Sequence, residues 1–156
     1  MIEKYLTDLK SKMDENNYNK LSKIKHPKVI EFINEAVNLC NPKEIFICSD
    51  SLDEYAYIRE MAIKTGEEKP LKIKGHTYHF DGIYDQGRDR EVTKFLVPKG
   101  DTLSPTLNQI ERLEGLEEIK GLLKDSMKDR TMIVRFLTLG PANSIFTILC
   151  MECTDS

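Results

Sequence analysis

Between Asp81 and Glu91 the chain gathers Asp85-Gln86-Gly87-Arg88-Asp89-Arg90. A guanidinium is a planar fork of donors that grips a carboxylate or phosphate through two bonds, and a glycine beside it lets a small anion reach the backbone. Arg88 is the first candidate for holding an anionic ligand and Arg90 the second. The plainer reading, which composition alone favours, is a solvated loop whose arginines pair with Asp85 and Asp89. Cys150-Met151-Glu152-Cys153 has the gap of a zinc knuckle, with Cys40 and Cys48 as the other thiols. The spacing of Cys40 and Cys48 does not suit a zinc ribbon. Residues three apart on a strand also face opposite ways, so the cysteines read as small buried hydrophobes. His76, His79 and Asp81 offer ligand types that suit zinc or iron. These histidines too lie three apart on an expected strand, and metal binding is the minority reading. No glycine-rich loop ending in Gly-Lys-Ser/Thr is present, nor a Gly-x-Gly-x-x-Gly fingerprint, so no nucleotide site is expected within this sequence.

The elements that must position these groups follow from apolar spacing. Ile2, Tyr5, Leu6, Leu9 and Met13 predict an amphipathic helix over about the first fourteen residues. The polar run Asp14–Lys20 reads as a linker. Val29, Ile30, Ile33, Ala36 and Val37 predict a second helix after His26-Pro27, stopped before Pro42. Ile45–Cys48 is of strand type, and Ser51 with Glu54 forms a capping box for a third helix closed by Thr65-Gly66. Leu71–Lys74, Thr77–Phe80 and Phe95–Val97 read as strands. Ser104-Pro105 is a helix start, with two short helices expected because Gly115 and Gly121 interrupt the pattern. Thr131–Thr138 and Ile145–Met151 are β-rich runs joined at Gly140-Pro141-Ala142-Asn143. Helices mixed with strands, without strict alternation, predict an α/β fold of mixed α+β layers.

The sequence has 156 residues, 40% hydrophobic and 31% charged, with a formal charge of −3. That suits one globular domain with a real core. No stretch approaches the roughly 18 consecutive apolar residues of a membrane span, and the first residues lack an apolar signal region. Basic residues scattered among acids argue against a nucleic-acid footprint. Four cysteines in such a chain read as reduced thiols. A cytoplasmic domain with neither a membrane nor a nucleic-acid partner is expected.

Three segments carry a likeness. Leu39-Cys40-Asn41-Pro42-Lys43-Glu44-Ile45-Phe46-Ile47-Cys48, followed by Ser51, is similar to a pattern Leu-Cys-x-Pro-x-x-Ile-x-Ile-Cys-x-x-Ser. Met127-Lys128-Asp129-Arg130-Thr131-Met132, then Gly140-Pro141 and Ser144, then Glu152-Cys153-Thr154-Asp155-Ser156, resemble Met-Lys-Gly-Arg-Thr-Met, Gly-Pro-x-Gly-Ser-Pro and Glu-x-Thr-Asp-Ser. Asp85-Gln86-Gly87-Arg88, with Thr93 five residues on, resembles Asp-Val-Ala-Arg and its following threonine. All three patterns are those of the N-terminal region of GTP-dependent phosphoenolpyruvate carboxykinase, closest in wording to its archaeal branch. The likeness runs from about residue 29 to 156 and is weakest over 56–82. Departures are Asp129 and Asn143 where the pattern has glycine, Ile145 where it has proline, and Arg90 where it has glutamate.

The resemblance implies an N-terminal domain of phosphoenolpyruvate carboxykinase type over 27–156, incomplete at its C-terminus, preceded by a helix and polar linker over 1–26. It implies that Arg88 binds the carboxylate of oxaloacetate or phosphoenolpyruvate. GTP and Mn²⁺ or Mg²⁺ belong to the complete enzyme, whose nucleotide loop, metal ligands and lid lie in a C-terminal catalytic domain that this sequence lacks. The expectation is thus a substrate-side piece, inactive alone, with a non-catalytic binding or regulatory domain of the same fold as the alternative. Arg130 is expected to be a structural ion-pair residue.

Overall fold

The computed structural model describes residues 2–82 and 92–155. They divide into two compact units, one formed by 2–68 with 125–155 and the other by 69–82 with 92–124.

The first unit contains α1 (Ile2–Lys10), α2 (Glu15–Ser22), α3 (Pro27–Cys40), β1 (Glu44–Ile47), α4 (Leu52–Thr65), β6 (Thr131–Leu139) and β7 (Ile148–Asp155). Helix α3 begins with proline at its first turn, where a missing N–H costs nothing. It buries Ile30, Ile33, Val37 and Cys40 along one stripe. Asn41 ends it in the left-handed conformation at φ 51°, and the fully buried Pro42 turns the chain into β1. The sheet order is β1-β6-β7, with β1 parallel to β6 from Glu44↔Thr131 to Ile47↔Val134 and β7 antiparallel to β6. Leu9, Leu21, Ile30, Ile33, Met132 and Val134 form the centre of the core, each with no exposed surface.

The polar run that reads as a linker is instead α2. Asp14 caps it by accepting from the Asn17 N–H at 2.7 Å, and Leu21 and Asn17 face inward. Asn17 is buried because its amide oxygen accepts from the Ile47 N–H at 2.8 Å. One apolar residue and one satisfied amide are enough to anchor a helix that looks wholly polar.

The second unit contains β2 (Lys69–Pro70), β3 (Thr77–Tyr78), β4 (Phe95–Val97), β5 (Gln109–Glu111) and α5 (Arg112–Leu123). β2 pairs antiparallel with β3, and β4 pairs parallel with β5. Leu71–Lys74 is a turn rather than a strand, closed by the Leu71 N–H donating to the His76 carbonyl at 2.9 Å. Ser104-Pro105 starts a turn, not a helix: the Leu107 N–H returns to the Ser104 carbonyl at 3.0 Å. The helix begins at Arg112, where the Glu111 carboxylate accepts from the N–H groups of Leu113 and Glu114. It is one helix, not two. Gly115 fits inside it closely: a Cβ there would meet the Leu96 side-chain end of β4, which would have to shift, and would crowd Ile110 of β5.

Among the described residues no helix is long and apolar enough to cross a membrane.

Candidate functional site

Arg88, Arg90 and the rest of the charged loop at 83–91 lie outside the described residues. Thr93, the other residue of that likeness, is exposed. What can be built is the framework formed by the other two segments. They are 83 positions apart at Ile47 and Arg130, yet adjacent in space. The Lys43 N–H donates to the Arg130 carbonyl at 3.0 Å, the Met127 N–H to the Cys40 carbonyl at 3.0 Å, and the Thr131 hydroxyl to Glu44 Oε1 at 2.8 Å. The strand pairs of β1 and β6 continue the contact.

The carboxyl end of β1 is the most heavily fastened place in this framework. Lys20 Nζ donates to Glu54 Oε1 at 2.8 Å and also to the Ile47 carbonyl, and lies 4.8 Å from the centre of the Phe46 ring. Ser51 caps α4 by accepting from the Glu54 N–H at 3.2 Å, as its spacing predicts. The Glu54 side chain does not return to Ser51, however. Its second oxygen accepts from the Ser49 N–H at 2.6 Å. Partial burial works to raise the Glu54 pKa, but the bonds from Lys20 and Ser49 outweigh it and hold the carboxyl below its ordinary value.

Beside this loop lies a cleft of about 410 Å³, lined by Cys48, Ser49, Asp50, Tyr55, Arg135 and Leu137 among others. Arg135 also lines a second depression of about 360 Å³ with Met61, Thr65 and Thr154. Its guanidinium is paired with Glu152, directly opposite on β7. Sequence reading does not single out Arg135, although a lone charge inside the apolar run Met132–Leu139 is a signal. Burial raises the Cys48 thiol, partly offset by Arg135 and Lys20, so it stays protonated at neutral pH and is a poor nucleophile. The cleft therefore offers two hydroxyls, the Asp50 carboxylate and a guanidinium already paired with Glu152, with no activated nucleophile in Cys48.

The other sequence candidates separate. Cys40 is buried, and burial pushes Cys153 up to about 11. All four thiols are free. His79 Nε2 lies 3.0 Å from Asp81 Oδ1, while His76 Nδ1 approaches the Lys74 carbonyl at 3.3 Å. No three His, Cys, Asp or Glu side chains converge among the described residues. The positive-φ glycines Gly66, Gly75, Gly100 and Gly140 stand in separate turns. The described residues thus fit neither a divalent ion nor a nucleotide phosphate. Arg130 is an ion-pair residue, 3.0 Å from Asp155 Oδ2.

Comparison with known proteins bears on all of these segments. The family described as the phosphoenolpyruvate carboxykinase N-terminal domain matches residues 31–156. The phosphoenolpyruvate carboxykinase (GTP) of Thermococcus sibiricus is 45% identical over 148 residues, covering 95% of this chain and 24% of the relative. That of Pyrococcus furiosus is 38% identical over 156 residues, covering 100% and 25%. A bacterial relative from Chlamydia caviae is 32% identical over 138 residues, covering 86% and 23%. The chain spans about a quarter of the length of the curated relatives it matches. With the helix–strand–cap segment and the β6–β7 segment paired in space, and a match across both, the chain belongs to the phosphoenolpyruvate carboxykinase N-terminal domain family.

Proposed function

We propose that this chain is the substrate-side part of a GTP-dependent phosphoenolpyruvate carboxykinase, which converts oxaloacetate and GTP to phosphoenolpyruvate, GDP and CO₂ in gluconeogenesis. The carrying observation is the family match over 31–156 together with relatives of that name, among them one 45% identical over 148 residues. In this reading the decarboxylation and phosphoryl transfer, a lyase activity, take place only with the remainder of the enzyme. That remainder binds GTP and Mn²⁺ or Mg²⁺. Metal ions supply Lewis-acid stabilisation of the enolate and the transferring phosphate. This chain contributes orientation, with Arg88 gripping the carboxylate of oxaloacetate or phosphoenolpyruvate and Arg90 as the second candidate. Residues 27–156 form the carboxykinase-type part, preceded by the segment 1–26, whose Leu9 and Leu21 pack into the same core. A cytoplasmic location accompanies the reading, and the four free thiols support it.

The test has two arms. Purified chain with oxaloacetate, GTP and Mn²⁺ is expected to form no measurable phosphoenolpyruvate; robust turnover contradicts the division of labour. Oxalate or phosphoenolpyruvate binding is then compared for wild type, Arg88→Ala and Arg90→Ala. Loss of a desolvated charge pair costs about 2–5 kcal/mol, so Arg88→Ala is expected to weaken binding by tenfold or more. Affinity unchanged in Arg88→Ala removes that residue from the site.

A further inference from the structure

Strand β6 changes character halfway along. Thr131–Val134 are buried, and Arg135–Leu139 are all exposed. The change falls where β1 ends, because β1 pairs only with the first four residues. Beyond Val134 the sheet is a two-stranded ribbon, β6 against β7, from Arg135↔Glu152 to Leu139↔Ile148. At roughly 3.4 Å per residue it reaches about 17 Å past the third strand. Such a ribbon is marginal in water unless something packs on it.

This ribbon is unlike a hairpin that lies in solvent. From Phe136 to Met151 there is no charged residue, in a chain that is 31% charged. Its tip carries Ile145, 94% exposed, Phe146, 79%, and Leu149, 83%. Apolar groups occupy both faces. Cross-strand partners share a face, so Leu139 with Ile148 lies on one side and Thr138 with Leu149 on the other. Strands with one solvated face alternate apolar and polar; a strand apolar on both sides is one covered on both sides. The first half of β6 obeys that rule; the second half, past Met151, which sits opposite Phe136 and packs partly against the core, lacks its cover.

We propose that residues 136–151 form an arm that inserts into a cleft of the remainder of a carboxykinase polypeptide, which covers both faces of the arm. This rests on the proposed function, since it names the partner which that reading requires. The relatives are about four times the length of this chain, so their remainder is large enough to enclose a ribbon rather than lie along one face of it. A second copy of the chain, docking flat, covers one face only. A lipid surface leaves the open backbone edges of the ribbon without partners, which hydrocarbon penalises heavily.

The experiment co-expresses tagged chain with the unmatched three-quarters of one of the archaeal relatives, and measures co-purification and affinity without substrate. Wild type is expected to form a one-to-one complex. Leu139→Asp and Leu149→Asp, one on each face, are each expected to weaken it at least tenfold. Leu52→Asp, at a position 85% exposed on α4, is expected to leave it unchanged. Circular dichroism and melting of each variant alone establish that it folds. Failure of wild type to co-purify, wild-type affinity in either arm variant, an arm-dependent dimer, or arm-dependent binding to phosphatidylcholine vesicles overturns the proposal. A tight complex that makes no phosphoenolpyruvate leaves the arm standing and defeats the functional reading instead.

Discussion

Asp129 and Asn143 stand where the carboxykinase pattern has glycine, and both adopt the left-handed backbone, at φ 65° and 61°. That region costs an ordinary L-residue about 1–2 kcal/mol through contact of Cβ with the following carbonyl, and Asp and Asn tolerate it best after glycine. Two departures that look disruptive in the sequence are therefore conservative in conformation. Asp129→Gly and Asn143→Gly are expected to be neutral or stabilising, and Asp129→Val to destabilise by about 1–2 kcal/mol, read from urea midpoints. A glycine that costs as much as valine at 129 shows that the aspartate side chain, not the backbone, is what the site requires.

At the scale of elements, one ion pair links three of them. Lys20 on α2 and Glu54 on α4 meet over the end of β1, their side chains each 17% exposed. Glu54 titrates below its ordinary value in the folded protein, so the pair stabilises fully above the unfolded carboxylate pKa and loses that contribution as pH falls through the folded one. Hydrogen bonds to charged groups contribute about 1.5–3 kcal/mol, so Glu54→Gln is expected to lower stability by about 1–3 kcal/mol at pH 7. The gap between wild type and variant should start to narrow near the ordinary carboxylate pKa of about 4.3 and close only below the folded value, which lies lower. A gap that does not narrow at all as the pH falls from about 6 to about 3 in chemical unfolding assigns the loss to packing rather than charge. The same pair shows what local pattern reveals and what it hides. Ser51 as a cap, Pro27 as a helix start and Ile45–Cys48 as a strand are local signals; all three hold, with the strand running from Glu44 to Ile47. Helix α2 was hidden because its burial comes from partners far along the chain, Ile47 for Asn17 and Glu54 for Lys20. Ser104-Pro105 misled for the opposite reason. Its cap chemistry is real, with the Ser104 hydroxyl accepting from the Thr106 N–H, but it serves a turn and no apolar face follows to extend it. The family likeness located the paired segments correctly, while Arg135 and its two clefts depend on a strand pairing that spacing cannot disclose.

Over the whole molecule, stability is unevenly shared. The core cluster of Leu9, Leu21, Ile30, Ile33, Met132 and Val134 belongs entirely to the unit built from both ends of the chain. In the 69–124 unit, Val97 at 8% exposure is the sole buried large apolar side chain among the described residues, helped by the close seat of Gly115 under Leu96. Its sheets are also short, with two pairs between β2 and β3 and three between β4 and β5. Segments with few buried apolar contacts open at free energies far below the global value. Amide exchange should therefore split along this boundary. The N–H groups of α3, β1 and residues 131–134 of β6 are expected to exchange only through global unfolding, with protection that tracks denaturant stability. Those of β3, β4 and α5 should exchange at least a hundredfold faster under native conditions. Substituting Ile33→Ala, which removes core volume worth about 2–5 kcal/mol, should speed the first group strongly and leave the second nearly unchanged. Equal protection in the two groups, or equal response to that substitution, would mean that the central segment folds as one cooperative body with the rest.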